Sequence, residues 1–127
     1  MNALRRIHAA LVPGGVVVDT QPLSPQPVVE AGGGALGTLD MREWRRMIDA
    51  VDDRIAQAVA EGLFALHAES WCVVADEFDS GEAFVQTVSG WKGTRVPAAL
   101  AARLRAAQPP ARVHQDVRVR VFRAEGR

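Results

Sequence analysis

The first 22 residues constrain the fold most, because a helical pattern, an abrupt stop and a strongly apolar strand follow one another directly. Apolar residues recur at helical spacing after Asn2, which predicts a helix over residues 2–12. The Pro13-Gly14-Gly15 triplet disfavours helix and lets the backbone turn away sharply. Val16-Val17-Val18 has no polar alternation, a pattern typical of a strand that is covered on both faces. We therefore predict a central strand over residues 16–19, with Asp19 at its carboxyl end.

The rest of the chain predicts a small mixed sheet of about three to five strands, in an α/β or α+β fold. Capping boxes, in which an acid caps a helix and a Glu three residues later binds back, are expected at Asp40 with Glu43 and at Asp79 with Glu82. One domain is expected over residues 1–127, since a chain of this length can bury a single core. The predicted elements are a hairpin over 28–38, helices over 41–61, 80–90 and 97–107, and an antiparallel pair of strands over 64–75 and 112–123.

Charge and residue content exclude several classes of protein. Fifteen basic residues balance fifteen acidic ones, so no overall field attracts nucleic acid or an anionic membrane. No run of about 18 apolar residues is present to cross a membrane. Cys72 is the single cysteine and is expected to be a buried, inert thiol in a reducing compartment, which favours a cytoplasmic protein. The three histidines are far apart in sequence and lack zinc spacing, so no metal site is predicted.

The helix, the Leu11-Val12-Pro13-Gly14-Gly15 turn and the strand that ends at Asp19 resemble part of the class I S-adenosylmethionine-dependent methyltransferases. In that family such a unit feeds the fifth strand of a seven-stranded sheet, and an antiparallel pair of strands closes the chain. Only residues 1–19 match in detail, while the later elements match in order. The resemblance implies the C-terminal half of the fold, without the N-terminal half that carries the cofactor-binding glycine loop and the ribose-binding acid.

The glycines at residues 32–37 offer one alternative cofactor site. Gly32, Gly34 and Gly37 satisfy the G-x-G-x-x-G pattern and precede a long helix, where backbone N–H groups can bind an anion. However, only Val28-Val29 precedes them, which is short for a central strand, and Asp40 would repel an anion at the helix start. We therefore predict a glycine-rich hairpin turn and leave the cofactor-binding residues unassigned.

The candidate substrate-binding residues are Asp19, Thr20, Gln21 and Trp44. The first three follow a predicted central strand, and open α/β sheets bind ligands at that edge. Trp44, with Trp71 and Trp91, is expected to form core or pocket walls. Arg118 and Arg120 form a basic stripe on the last strand, but one phenylalanine, Phe122, gives little aromatic surface for RNA. A solvated strand face is therefore the preferred interpretation of the stripe, and no catalytic residue is assigned.

Three functions remain open at this point. The first is a truncated methyltransferase-like domain that is not catalytic alone, binds no cofactor alone, and acts through a homodimer or a complementary half-domain. The second is an S-adenosylmethionine-dependent methyltransferase, as half of a split enzyme or a fragment of a longer chain, acting on an unknown small molecule. The third is an unrelated small α+β module that binds a ligand.

Overall fold

A computed structural model describes residues 2–125, and its elements confirm a mixed α/β fold with an open five-stranded antiparallel sheet and four helices. Each predicted helix and strand is present, with ends that shift by a few residues. In chain order the elements are α1 (Asn2–Ala10), β1 (Val16–Pro22), β2 (Val28–Ala31), β3 (Gly34–Thr38), α2 (Arg42–Ala60), β4 (Phe64–Phe78), α3 (Gly81–Val88), α4 (Ala98–Ala106) and β5 (Ala111–Ala124).

Strand β5 is the centre of the sheet. The strand order is β1-β5-β2-β3, and β4 also pairs with β5, as the sequence predicted for the last two strands. One part of β5 pairs antiparallel with β1, from Val16 opposite Arg123 to Pro22 opposite Val117. An earlier part pairs with β2 over Ala111–Val113. β5 can pair with several neighbours because it is 14 residues long, whereas β2 has only 4 residues.

The prediction that residues 16–19 form a central strand covered on both faces is wrong. Among the described residues β1 pairs with β5 alone, so it is an edge strand. Val16 is 48% exposed and Val18 is 59% exposed, whereas Val17 between them is half-buried. The apolar triplet therefore leaves Val16 and Val18 largely exposed, because side chains alternate between the two faces of a strand.

The glycines after β2 form a hairpin turn, as predicted. Ala31 pairs with Gly34, and the two residues between them have φ values of +62° at Gly32 and +82° at Gly33. Positive φ at both central positions is the requirement of the tight turn whose twist matches that of two antiparallel strands. The backbone N–H of Gly32 donates to the carbonyl of Gln108 at 2.9 Å, which ties the turn to the segment before β5.

Neither predicted capping box forms as expected. The Asp40 carboxylate accepts from the backbone N–H of Arg42 at 3.1 Å and from its guanidinium at 2.9 Å, so Asp40 precedes the helix, which begins at Arg42. The side-chain hydrogen bond from Arg42 lowers the pKa of Asp40 to about 2. At α3 the capping side chain is Ser80, whose Oγ accepts from the N–H of Ala83, while Glu82 pairs with an arginine of α4.

Backbone contacts group the described residues into two compact units. Unit 1 contains the described residues within 1–22, 48–72 and 117–127, and unit 2 contains residues 23–47 and 73–116. In unit 1, Phe64 and Phe122 are buried together with Ala58 and Ala124, and His8 packs edge-on against Phe64. The core of unit 2 is larger and consists of Val29, Ala31, Leu39, Met41, Phe84, Val85, Val88, Leu100, Ala101, Leu104, Ala111 and Val113.

Strand β4 is far more exposed than its sequence predicts. Cys72, expected to be buried, is exposed, and the flanking Trp71 and Val73 are 57% and 66% exposed. The Trp71 indole is therefore not a buried core residue, and its Nε1 donates to Glu69 at 3.3 Å. Within residues 2–125, no helix is long and apolar enough to cross a membrane.

Candidate functional site

The buried face of β5 changes along the strand. At its start the odd-numbered residues are buried, as at Val113 and Gln115, but after Val117 the buried residues include Arg118 and Phe122. Arg118 and Arg120 therefore lie on the covered side of unit 1. The preferred interpretation of these two arginines as a solvated stripe is wrong.

Two carboxylates balance the two covered arginines. Arg120 Nη2 lies 2.9 Å from Asp19 Oδ2 and 2.7 Å from Asp52 Oδ1. Arg118 holds Asp52 with both terminal nitrogens, at 2.8 and 3.2 Å. The side chains of Asp19, Arg118 and Arg120 are only 11–13% exposed, and that of Asp52 is 23% exposed. We call these four residues the Asp–Arg cluster. Its formal charge is zero.

Burial and pairing have opposite effects on Asp52. Burial is the largest single influence and raises the pKa of Asp52, but the hydrogen bonds and positive charges of Arg118 and Arg120 together outweigh it and hold the pKa below its ordinary value. The Arg120 guanidinium also lies 5.1 Å from the centre of the Phe122 ring, which is within cation–π range. The two arginines therefore favour the charged form of Asp52.

The cluster is better suited to holding secondary-structure elements together than to transferring a proton. Asp19 Oδ2 accepts from Arg120, and its Oδ1 accepts from Gln21 Nε2 at 3.0 Å. Both Asp52 oxygens accept from Arg118. A general base needs a carboxylate oxygen within reach of a substrate proton, and these oxygens already have partners. The cluster instead connects α2, β1 and β5 within unit 1.

The structure brings together only part of the predicted substrate site. Asp19 and Gln21 share the cluster face of β1, while Thr20 is exposed on the opposite face. Trp44 belongs to unit 2, where its half-buried ring packs on that unit's core and its backbone N–H donates to Gly93 at 3.2 Å. The alternation of side chains along a strand explains why Thr20 separates from its neighbours.

Asp52 is the cluster residue that the sequence analysis did not identify, because a charged residue on a helix usually faces solvent. A pattern that could have identified it is its spacing from Ile48 and Ile55, four residues before and three residues after it. That spacing places Asp52 on the apolar stripe of the helix, where an acid requires a buried partner.

An apolar cavity of about 270 Å³ lies beside the cluster in unit 1. Asp19 is the acid on its wall, and Arg54 of α2 supplies the cavity's positive charge. The remaining lining is Ala3, Leu4, Ile7, Val17, Val18, Val51, Ile55, Phe64 and Phe122.

Unit 2 has two further depressions, and both are polar. One of about 320 Å³ is lined by side chains that include Asp40, Arg42 and Arg95, and one of about 470 Å³ lies beside the Gly32-Gly33 turn. Within the described part of the chain, no three His, Cys, Asp or Glu side chains are grouped to hold a metal ion. No family model, curated protein or solved structure matches this chain.

Proposed function

We propose that this chain is a methyltransferase-like domain that is not catalytic alone and acts by association through strand β1. One observation carries the proposal: among the described residues, one edge of β1 has no partner strand, and the face with Val16 and Val18 is exposed. An unpaired edge presents a row of N–H and C=O groups to a strand of another chain.

The β1 edge lacks the usual protection against pairing. Proteins shield edge strands with exposed charges, proline or bulges, and the only proline in β1 is Pro22 at its end. Its single acid, Asp19, is covered and paired with Arg120. A neighbouring strand would therefore meet β-branched side chains and no uncompensated charge.

A second copy of the chain is the occupant that we propose for this edge. Antiparallel pairing about Asp19 would place Val18 opposite Thr20 of the other copy on the exposed face, a pair of β-branched side chains. Cross-strand pairs of this kind contribute roughly 0.2–1 kcal/mol each. The formal net charge of zero removes long-range repulsion between copies. A two-fold arrangement of this kind closes the edge of both copies.

Light scattering after size exclusion tests this proposal. The chain is expected to form a dimer at tens of micromolar, and Val18→Lys is expected to shift it to the monomer, because a lysine on an exposed edge strand opposes pairing. The matched control is Val12→Lys, since Val12 is 71% exposed and lies outside the strand. A wild-type chain that remains monomeric at these concentrations, or a Val12→Lys chain that dissociates equally, would contradict the proposal.

The second candidate is one half of an S-adenosylmethionine-dependent methyltransferase, with a complementary half-domain on the β1 edge. This candidate is favoured by the order of elements in the chain, which resembles that of the methyltransferase family: α1, the Pro13–Gly15 turn, β1 and the later β4–β5 pair. In this function the other half would bind the cofactor, because Gly32 and Gly33 here form a hairpin turn. The chain alone is expected to show no saturable heat with S-adenosylmethionine. Saturable amide shifts at residues 32–37 would assign the cofactor to this chain instead.

A further inference from the structure

We infer that the unit 1 cavity binds a small amphipathic carboxylic acid, with its apolar tail among the aliphatic and aromatic side chains and its carboxylate on Arg54. The inference concerns a site that neither the dimer nor the methyltransferase resemblance assigns, and it does not rest on them. It depends on three observations: the lining of the cavity, the state of Arg54 and the state of Asp19.

The cavity wall is suited to an apolar group. Five elements of unit 1 contribute to it, including Leu4 of α1, Val17 of β1, Ile55 of α2 and the aromatic rings of Phe64 and Phe122. Ligand sites have this combination of a mostly apolar concave wall and a few polar groups, and a volume near 270 Å³ suits a small molecule. Removing an apolar tail from water into such a wall is favourable.

Arg54 provides the positive charge. It lies on the wall and is exposed, and among the described residues no hydrogen bond or ion pair engages its guanidinium. By contrast, Arg118 and Arg120 in the same unit are each paired with carboxylates. An arginine with an unused planar set of donors matches the two oxygens of a carboxylate.

Asp19 determines the sign of the ligand charge. It is the acid on the cavity wall, but both of its oxygens already accept hydrogen bonds, from Arg120 and Gln21. A cationic ligand would therefore meet an Asp19 whose charge Arg120 already balances, and it would be repelled by Arg54. A ligand with several negative charges would meet only one cation, Arg54, and would place its other charges against an apolar wall. A single carboxylate on an apolar body satisfies both parts of the site.

Calorimetric titration with octanoate tests the site, with 1-octanol and octylammonium as matched probes that alter only the head group. Octanoate is expected to bind saturably at one site per chain and more tightly than either comparison ligand. Arg54→Gln is expected to weaken octanoate binding about tenfold or more, the effect of losing one charge-assisted contact, and to leave 1-octanol unchanged. Arg46→Gln, an exposed arginine on the same helix outside this cavity, is the control and is expected to retain wild-type affinity.

A second variant locates the apolar part of the site. Ile7 is 39% exposed on the cavity wall, so Ile7→Trp can fill the space without disturbing a buried core residue, and its thermal melt verifies that it is folded. It is expected to abolish octanoate binding. Unchanged octanoate affinity in either Arg54→Gln or Ile7→Trp, equal affinity for octanoate and 1-octanol, or no saturable binding would overturn the inference.

Discussion

Arg118 and Arg120 lie almost fully out of solvent, and Asp19 and Asp52 are the groups that make this burial tolerable. Moving a charge out of water costs several kcal/mol, and a close partner offsets that cost only while the pair remains complete. Removing one carboxylate therefore lowers the free energy of unfolding by more than one ion pair contributes to it, because an arginine is left buried with fewer acceptors.

Asp52→Asn is expected to lower the free energy of unfolding by about 3 kcal/mol, near the lower end for buried pairs because Asp52 is partly exposed. Urea denaturation at pH 7 measures the change. The control is Glu61→Gln, which removes the pair with Arg5, where both side chains are well exposed. The free energy of unfolding of that variant is expected to fall by at most about 1 kcal/mol. Equal losses in the two variants would show that the cluster is not held out of water.

The pH dependence of stability should also depend on Asp52. Its pKa in the folded chain lies below the ordinary value of 3.8, so the unfolded chain binds its proton first as the pH falls. The stabilisation is therefore fully present above the ordinary pKa and is lost as the pH drops through the lower folded value. The difference in unfolding free energy between wild type and Asp52→Asn is expected to be largest at pH 6–7 and to shrink below about pH 4. A difference that remains constant down to pH 2 would contradict this assignment.

At the scale of elements, the contact between α3 and α4 depends on a residue without a side chain. A Cβ added to Gly81 would lie 1.9 Å from the carbonyl oxygen of Leu104 and 2.3 Å from its carbon, and both atoms belong to the backbone of α4. Backbone atoms cannot rotate away as a side-chain end can. The two helices must therefore separate if Gly81 acquires a methyl group.

Gly81→Ala is expected to destabilise the chain by about 3 kcal/mol, the upper part of the usual range for overpacking. Thermal or urea denaturation measures the loss. Gly34→Ala is the matched control, since its added Cβ meets nothing within 4 Å and its backbone is outside the positive-φ range. If the two variants unfold at the same temperature or urea concentration, the close approach of the two helices does not limit stability.

Local patterns predicted the elements well because helical spacing, turn glycines and strand alternation act within a few residues. Burial was harder to predict, because it depends on what lies over an element. Valine recurs at every second position from Val113 to Val121 except at Gln115, yet the covered face changes near Val117. Asp19 is a candidate site residue because of its place after a strand, but the arginines that pair with it are about 100 residues away in sequence. No local pattern specifies such a pairing.

At the scale of the whole molecule, β1, β3 and β4 each pair with one strand among the described residues, and of these β1 and β4 expose large apolar side chains. β1 presents Val16 and Val18, while β4 presents Trp71 and Val73 on a longer strand. Either edge can in principle recruit a second copy. Besides Glu77, which pairs with Arg112, β4 carries Glu69 and Asp76, and like charges brought opposite each other across two such strands would repel. This difference favours β1 as the edge that associates.

The proposed association through β1 would make the stability of the chain depend on its own concentration, since a partner that binds only the folded state stabilises it by mass action. The melting temperature is expected to rise by roughly 5 °C between 1 and 100 μM, the shift produced by about 1 kcal/mol in a chain of this size. Val18→Lys is expected to remove this dependence, leaving the melting temperature at its low-concentration value. Trp71→Lys, on β4, is expected to retain it, because Trp71 is 57% exposed and lies outside the β1 edge. If Trp71→Lys abolishes the dependence and Val18→Lys preserves it, the associating edge is β4, and the role proposed for β1 is wrong.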